Sequence, residues 1–242
     1  GLVRQLSSAE IVAQYCEARR VRSDVRKIVL MGMGEPSHNL DAVCEAVEFF
    51  GNVCGLAHKD IVVSTVGDHR LFDRLPALSV RPALALSLHT TDNALRRKLL
   101  TNSKDILVET LLERTLDYAD ETGYPAQIEW TLMAGINDAP EQARALVKLV
   151  KTVPCKFNLI PFNPFPDSDL KQPEREKVLA FAKILNDAGI VTTVRKTRGD
   201  DIAAACGQLA GEVRDRTRRA IRLVQQKEEA RDLLVKDAAA SH

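Results

Sequence analysis

The chain has 242 residues, 45% of them hydrophobic and 28% charged, enough to bury a substantial core in one large domain or one domain with an appendage. A net charge of +1 gives no global electrostatic case for nucleic acid, although a local basic patch remains open. No apolar run is long enough to span a bilayer and no basic-then-apolar leader opens the sequence, so a cytoplasmic protein with no membrane partner is expected.

In chain order, Ser7 and Glu10 form a capping box that opens a helix carrying Ile11, Val12 and Tyr15. Apolar runs at 27–32, 60–67, 82–89, 127–133, 155–162 and 190–197 predict strands, and their near-continuous hydrophobicity predicts cover on both faces. Between them the spacing predicts helices at 40–50, 106–122, 140–152 and 174–188, the last closed by Gly189. Strand–helix alternation of this kind predicts right-handed βαβ units, hence an α/β fold, either doubly wound or a barrel. Beyond Gly211 the pattern changes to EVRDRTRRAIRLVQQKEEARDLLVKD. We read 1–212 as the barrel domain and 213–242 as a charged helix and frayed tail. That helix would pack through Val213, Ile221 and Leu223, and contact of its arginines with RNA phosphate is the weaker reading.

The five cysteines, Cys16, Cys44, Cys54, Cys155 and Cys206, are odd in number and none shares C-x-x-C spacing. A disulfide framework and a local cysteine metal site therefore have no support, and no metal ligand is assigned. The strand ends carry more chemistry, and in an α/β barrel that is where function collects. The first ends in MGMGEP, where Gly32 and Gly34 permit close backbone approach and Glu35 offers a carboxylate to an ammonium group. The second ends in STVGD, with Ser64 at the rim. The third ends in SLHTT, where Ser87 and His89 lie two apart and so share a face. The fifth ends in IPFNPFP, where Asn163 offers both a donor and an acceptor. Singly, each has a plainer explanation in turns and local hydrogen bonds. Together, at successive strand ends, they describe a polar pocket for a small molecule with amine, hydroxyl and base groups. Cys206 by itself, set among alanines, has the reading of a packed thiol.

The segments GMGEP, STVGD, LALSLH, GIND (135–138), NLIPFNP and RKTRGDDIAAACGQLAGEV occur in this order. In them the chain resembles the RlmN/Cfr family of radical S-adenosylmethionine RNA methyltransferases, and RKTRGDDI is closer to the branch that methylates carbon 2 of adenine. The resemblance implies a partial (β/α) barrel with S-adenosylmethionine held at its open end by Gly34, Glu35, Ser64, Ser87, Leu88, His89 and Asn163. It implies that Cys206 accepts a methyl group from S-adenosylmethionine. A radical made with a reduced 4Fe-4S cluster then activates that methyl for addition to an adenine of 23S rRNA or tRNA. It further implies an RNA partner, an electron-donor protein and a monomer. The chemistry gives the thiol its purpose: carbon 2 of adenine is too poor a nucleophile to displace a sulfonium methyl, and a thiolate is a good one.

The family's cluster loop, C-x3-C-x2-C after the first barrel strand, has no counterpart, and GLVRQLSSAEI matches the family's segment just downstream of that loop. The three cluster ligands, the resolving cysteine, the general base and the RNA-binding domain are accordingly expected outside this stretch. Cys16, Cys44, Cys54 and Cys155 are read as structural thiols. A radical enzyme of the same superfamily acting on another substrate is a third reading, against which the AACGQL motif argues, and two accounts stand ahead of it. One is a piece of an ordinary methyltransferase, inactive alone and active at full length. The other is a cluster-less relic that binds S-adenosylmethionine or RNA without catalysis.

Overall fold

The computed structural model describes residues 4–32, 34–100, 105–150, 155–164 and 168–195. Cys206 and the C-terminal charged helix lie outside them. Leu6–Leu209 forms one compact unit, and of a second unit, Gly1–Gln5 with Ala210–His242, only Arg4 and Gln5 are described.

Six parallel strands make one sheet in the order of the sequence: β1 (Ile28–Leu30), β2 (Ile61–Thr65), β3 (Ala83–Ser87), β4 (Ala126–Leu132), β5 (Cys155–Pro161) and β6 (Val191–Val194). Parallel neighbours need a crossover, and helices supply it: α2 (Leu40–Asn52), α3 (His69–Arg74), α4 (Asn93–Leu99), α5 (Val108–Thr122), α6 (Pro140–Val150) and α7 (Arg175–Asp187). Helix α1 (Ser8–Val21) precedes β1 and opens on the capping box expected from Ser7 and Glu10. All six predicted strands and the five predicted helices are present, with ends that differ by a few residues: α2 runs on to Asn52, β4 is shifted back by one residue, and most of the others are shorter. Helices α3 and α4 were not anticipated. Each is too short to show a helical period, yet both carry a legible start, because Asp68 and Asp92 accept backbone N–H groups of the first turn.

One expectation about the sheet needs correcting. Its two faces are not equally apolar. Residues in register share a face, and successive residues alternate. Ile61, Val63, Leu84, Leu86, Ile128, Trp130, Leu132, Phe157 and Leu159 are all buried, forming the core with Val47 and Phe50 of α2, Leu111 of α5 and Phe181 and Leu185 of α7. The Trp130 and Phe181 rings lie 5.7 Å apart at the centre of this layer. On the opposite face β4 presents Gln127, Glu129 and Thr131, and β5 presents Lys156, Asn158 and Ile160. On that face β1 and most of β2 and β3 are apolar, through Val29, Val62, Ala83 and Ala85, with Ser64 and Ser87 as the polar exceptions. The sheet also curls. Beyond the end of β6, Nη1 of Arg195 reaches 3.6 Å from Sδ of Met31, just past β1, so the two edges approach across the polar face.

The turn after β2 is built tightly against α5. Gly67 adopts φ +99°, and a Cβ there would overlap Leu111 Cδ2. Gly67→Ala therefore combines left-handed strain with overpacking, and we expect it to destabilise the protein by about 2 kcal/mol or more. Thermal melting of the whole protein checks this: Gly67→Ala should lower the midpoint, and Gly67→Ala with Leu111→Ala should not restore it fully, because the strain in φ remains.

Candidate functional site

At the C-terminal edge of a parallel sheet the last peptide groups have no further ladder partner, and here side chains supply it. Glu35, after β1, caps the one-turn helix Pro36–Asn39 by accepting from the Ser37 N–H (3.2 Å). Its other contacts reach the end of β2, where Thr65 Oγ1 donates to Oε1 (2.5 Å) and the Val66 N–H donates to Oε2 (2.9 Å). The carboxylate thus locks the glycine-containing turn of β1 to the next strand. Gly34 beside it has φ +93° and is exposed, as a position open to a ligand requires.

Arg96 of α4 continues this pattern and was not legible as a site residue. Its side chain is 3% exposed, and Nη2 donates to the carbonyls of Val66 and, at 3.4 Å, of Ser87. Burial lowers its pKa to about 10, with the Glu35 carboxylate acting the other way, so it stays cationic at neutral pH. Its signal in the sequence was hidden inside RRKLL, where one arginine of a basic run turns inward because the helix is short and pinned by Asp92.

Ser64 and Ser87 are brought together, their hydroxyls 3.5 Å apart across β2 and β3. Ser64 does not stand at the rim as expected. It lies within β2 and is buried, because the strand runs on to Thr65. Leu88 is fully buried, backbone included, and its N–H donates to the Glu129 carbonyl. His89 does not share a strand face with Ser87, because β3 ends at Ser87 and His89 turns to φ +63°. That strained conformation is held from two sides. The Thr131 N–H donates to Nδ1 (3.0 Å), and Asn137 Nδ2 donates to the His89 carbonyl (2.7 Å). The first bond fixes the neutral tautomer with its proton on Nε2. Asn137 is fully buried and also binds the Thr131 carbonyl and the Met133 N–H, so the GIND turn is a clamp on the ends of β3 and β4. Asn163 is half-buried two residues beyond β5, where the Phe162 N–H still donates to the Leu132 carbonyl.

The described cysteines are dispersed. Burial raises the thiols of Cys44, Cys54 and Cys155, the last to about 11, which suits packed, protonated groups. Cys16 is a correction to the expected structural set, since it is exposed on α1. Among the described residues no three His, Cys, Asp or Glu side chains converge to hold a metal, and no helix is long and apolar enough to cross a membrane. An iron–sulfur cluster does not fit the described residues. Carboxylate, hydroxyl and imidazole groups of Glu35, Ser87 and His89 do lie at the ends of successive strands.

An α/β protein with polar side chains gathered at the C-terminal edge of a curled parallel sheet is the class these observations define. No family model matches the chain. It is 50% identical over 209 residues to a probable RNA methyltransferase of Stutzerimonas stutzeri (strain A1501), covering 86% of this chain and 61% of that protein. It is 48% identical over 225 residues to another probable RNA methyltransferase, from Azoarcus sp. (strain BH72), covering 91% and 65%. The crystal structure of a radical SAM methyltransferase from Sphaerobacter thermophilus superposes with a TM-score of 0.80 at 37% identity, covering 86% of this chain and 63% of that one. The chain is similar to these methyltransferases over most of its own length, and it spans a little over three fifths of the length of these relatives.

The His89 imidazole has a measurable signature. Burial, with the charge of Arg96 adding to it, lowers its pKa from 6.5 to about 4. Between those values the unfolded chain binds a proton that the folded chain refuses. Stability is therefore fully present above pH 6.5 and falls as pH drops towards about 4, by up to about 3 kcal/mol. Asn tolerates the positive φ. Denaturant titrations of wild type and His89→Asn across this range should show the wild type losing stability more steeply. Parallel curves would show that His89 does not titrate this way.

Proposed function

We propose that this chain is the S-adenosylmethionine-binding part of a methyltransferase that modifies carbon 2 of adenine in 23S rRNA and tRNA, with Cys206 as the methyl carrier. The observation that carries the reading is the joined edge of β1, β2 and β3. Glu35 and Arg96 meet around Val66 there, Arg96 reaches on to the Ser87 carbonyl, and the Ser64 and Ser87 hydroxyls face each other. That edge presents the Glu35 carboxylate beside the Ser87 hydroxyl, with Arg96 buried behind them as a brace, which complements a ligand with an ammonium and hydroxyl groups. The names of the relatives support RNA as the substrate, and the RKTRGDDIAAACGQL segment supports the carbon-2 branch and the role of Cys206.

In this reading Gly34 and Glu35 take the methionine end, with Ser64, Ser87, His89 and Asn163 completing the contacts. His89 enters as a neutral donor through Nε2–H, the proton that its bond from Thr131 leaves there. The Cys206 thiolate attacks the sulfonium methyl. A sulfur–carbon bond forms, the bond to the sulfonium breaks, and neutral S-adenosylhomocysteine leaves. A 4Fe-4S cluster held outside the described residues would supply one-electron reducing chemistry toward a second S-adenosylmethionine. Its ligands are not among the described residues. The RNA partner, an electron-donor protein, a monomeric state, a cytoplasmic site of action and the division at 212/213 belong to the same proposal. A binding-only protein remains the alternative, and it has no use for a methyl-carrying thiol.

The test uses the whole protein. Cys206→Ala should abolish methylation of carbon 2 in RNA while leaving equilibrium binding of S-adenosylmethionine within about threefold of wild type. Adenine methylation by the variant would remove Cys206 from the reaction. Glu35→Gln should weaken S-adenosylmethionine binding about tenfold, since a charge-assisted contact is lost. An unchanged dissociation constant would assign Glu35 to holding the β1–β2 turn alone.

A further inference from the structure

Two thiols that lie far apart in the sequence are brought to one place by the packing of α1 on α2. The helices run side by side in the same direction. At the start of α2, Asn39 Nδ2 donates to the Leu6 carbonyl just before α1 (2.8 Å), and further along the Tyr15 and Phe50 rings meet edge to face, 5.6 Å apart. Cys16 follows Tyr15 and shares a side of α1 with Val12 and Arg19. Val12 packs against the core, and the Arg19 guanidinium lies 5.9 Å from the Tyr15 ring. Cys16 therefore stands at the border with α2, and it is exposed there.

Cys54 comes to the same border from the other helix. Its N–H donates back to the Phe49 carbonyl (3.1 Å), the Leu56 N–H donates to the Phe50 carbonyl (3.0 Å), and Gly55 between them turns with φ +68°. These bonds fold the chain over the end of α2 and leave Cys54 half-buried, packed against the core. Burial raises the Cys54 thiol, a charge on Cys16 adds to that shift and the Arg19 guanidinium opposes it, so both side chains of α1 lie within electrostatic reach of Cys54. A disulfide needs Cα atoms within about 7 Å of each other. Cys54 lies past the last residue of α2, so the closing movement falls on a turn and not on a helix. The other described thiols are elsewhere: Cys44 is buried on the core side of α2, and Cys155 opens β5.

The pair is asymmetric, which assigns the roles. A small disulfide reaches an exposed thiol first and a half-buried one poorly. We propose that Cys16 and Cys54 are a redox-active thiol pair, in which Cys16 takes a low-molecular-weight disulfide such as oxidised glutathione and Cys54 resolves the adduct into a cross-link between α1 and α2. The Cys16 thiolate attacks one sulfur of the small disulfide. A new sulfur–sulfur bond forms, the old one breaks, and one glutathione thiolate leaves. The Cys54 thiolate then attacks Cys16 Sγ and expels the second glutathione. Two protein thiols are oxidised, one small disulfide is reduced to two thiols, and the protons lost from the protein end on the glutathione released. The site lies on helices away from the strand-end edge, so it does not depend on what that edge binds.

The experiment incubates the whole protein, first reduced, with oxidised glutathione in the absence of air, blocks the remaining thiols by alkylation and weighs the tryptic peptides. In wild type, Cys16 and Cys54 should both disappear from the alkylated set. The peptide of residues 5–19 should be joined to that of residues 28–59, the link should open on reduction, and no glutathione should stay on Cys16. Cys54→Ser should instead accumulate glutathione on Cys16, because nothing resolves the adduct, and Cys16→Ser should leave Cys54 open to alkylation. A Cys16 that stays unmodified overturns the proposal. So does a glutathione adduct that persists on Cys16 in wild type with Cys54 still alkylated. A cross-link that survives Cys54→Ser overturns it as well, since the second thiol would then be Cys44, which lies in the same peptide.

Discussion

Parallel strands end with peptide groups that nothing in the sheet can satisfy, and the architecture of this site depends on how they are satisfied. Glu35 takes the Val66 N–H, Arg96 takes the Val66 and Ser87 carbonyls, and Asn137 takes the carbonyls of His89 and Thr131. Each bond crosses from one strand's end to another element. The result is a rim in which a change at one strand end is felt at the next, since buried polar groups left unpaired are expensive. A ligand site on such a rim is pre-organised. The side chains that would meet the ligand are already held in place by the fold.

The same economy explains the strained His89. A non-glycine residue at φ +63° persists only if its surroundings require it, and Thr131 and Asn137 bind its ring and its carbonyl at once. The neutral tautomer results from those bonds, with the buried Arg96 nearby adding a cation that opposes protonation. Conformation, tautomer and charge state are one consequence of a single clamp.

The two faces of the sheet divide the labour. The helix-covered face is closed, with Trp130, Phe157 and Leu159 buried beneath α7 and its neighbours. The other face becomes more polar from β3 towards β5, where the register aligns Ser87, Glu129 and Asn158. Because residues alternate along a strand, one heptapeptide, Ala126–Leu132, supplies the core and the polar row together.

Much of this was legible in the residues before any coordinates. Alternating apolar runs and amphipathic stretches marked the six strands and five of the helices, because hydrophobic periodicity and capping are local. Ser7 with Glu10 read as a capping box and is one. The strand-end residues Glu35, Ser87 and His89 were marked by position alone. What sequence could not decide was which groups meet. Arg96 is one basic residue in a basic run, Asn137 one residue of a loop, and Asn158 a polar residue inside an apolar strand. Their roles arise from register and from contacts between residues 29 to 48 positions apart. Composition and local pattern determined the elements and the chemistry available at their ends. Tertiary structure alone decided that Ser64 lies within the strand, that His89 leaves the face of Ser87, and that Glu129 faces away from the core. Pairing across strands is a non-local property that no short stretch of chain encodes.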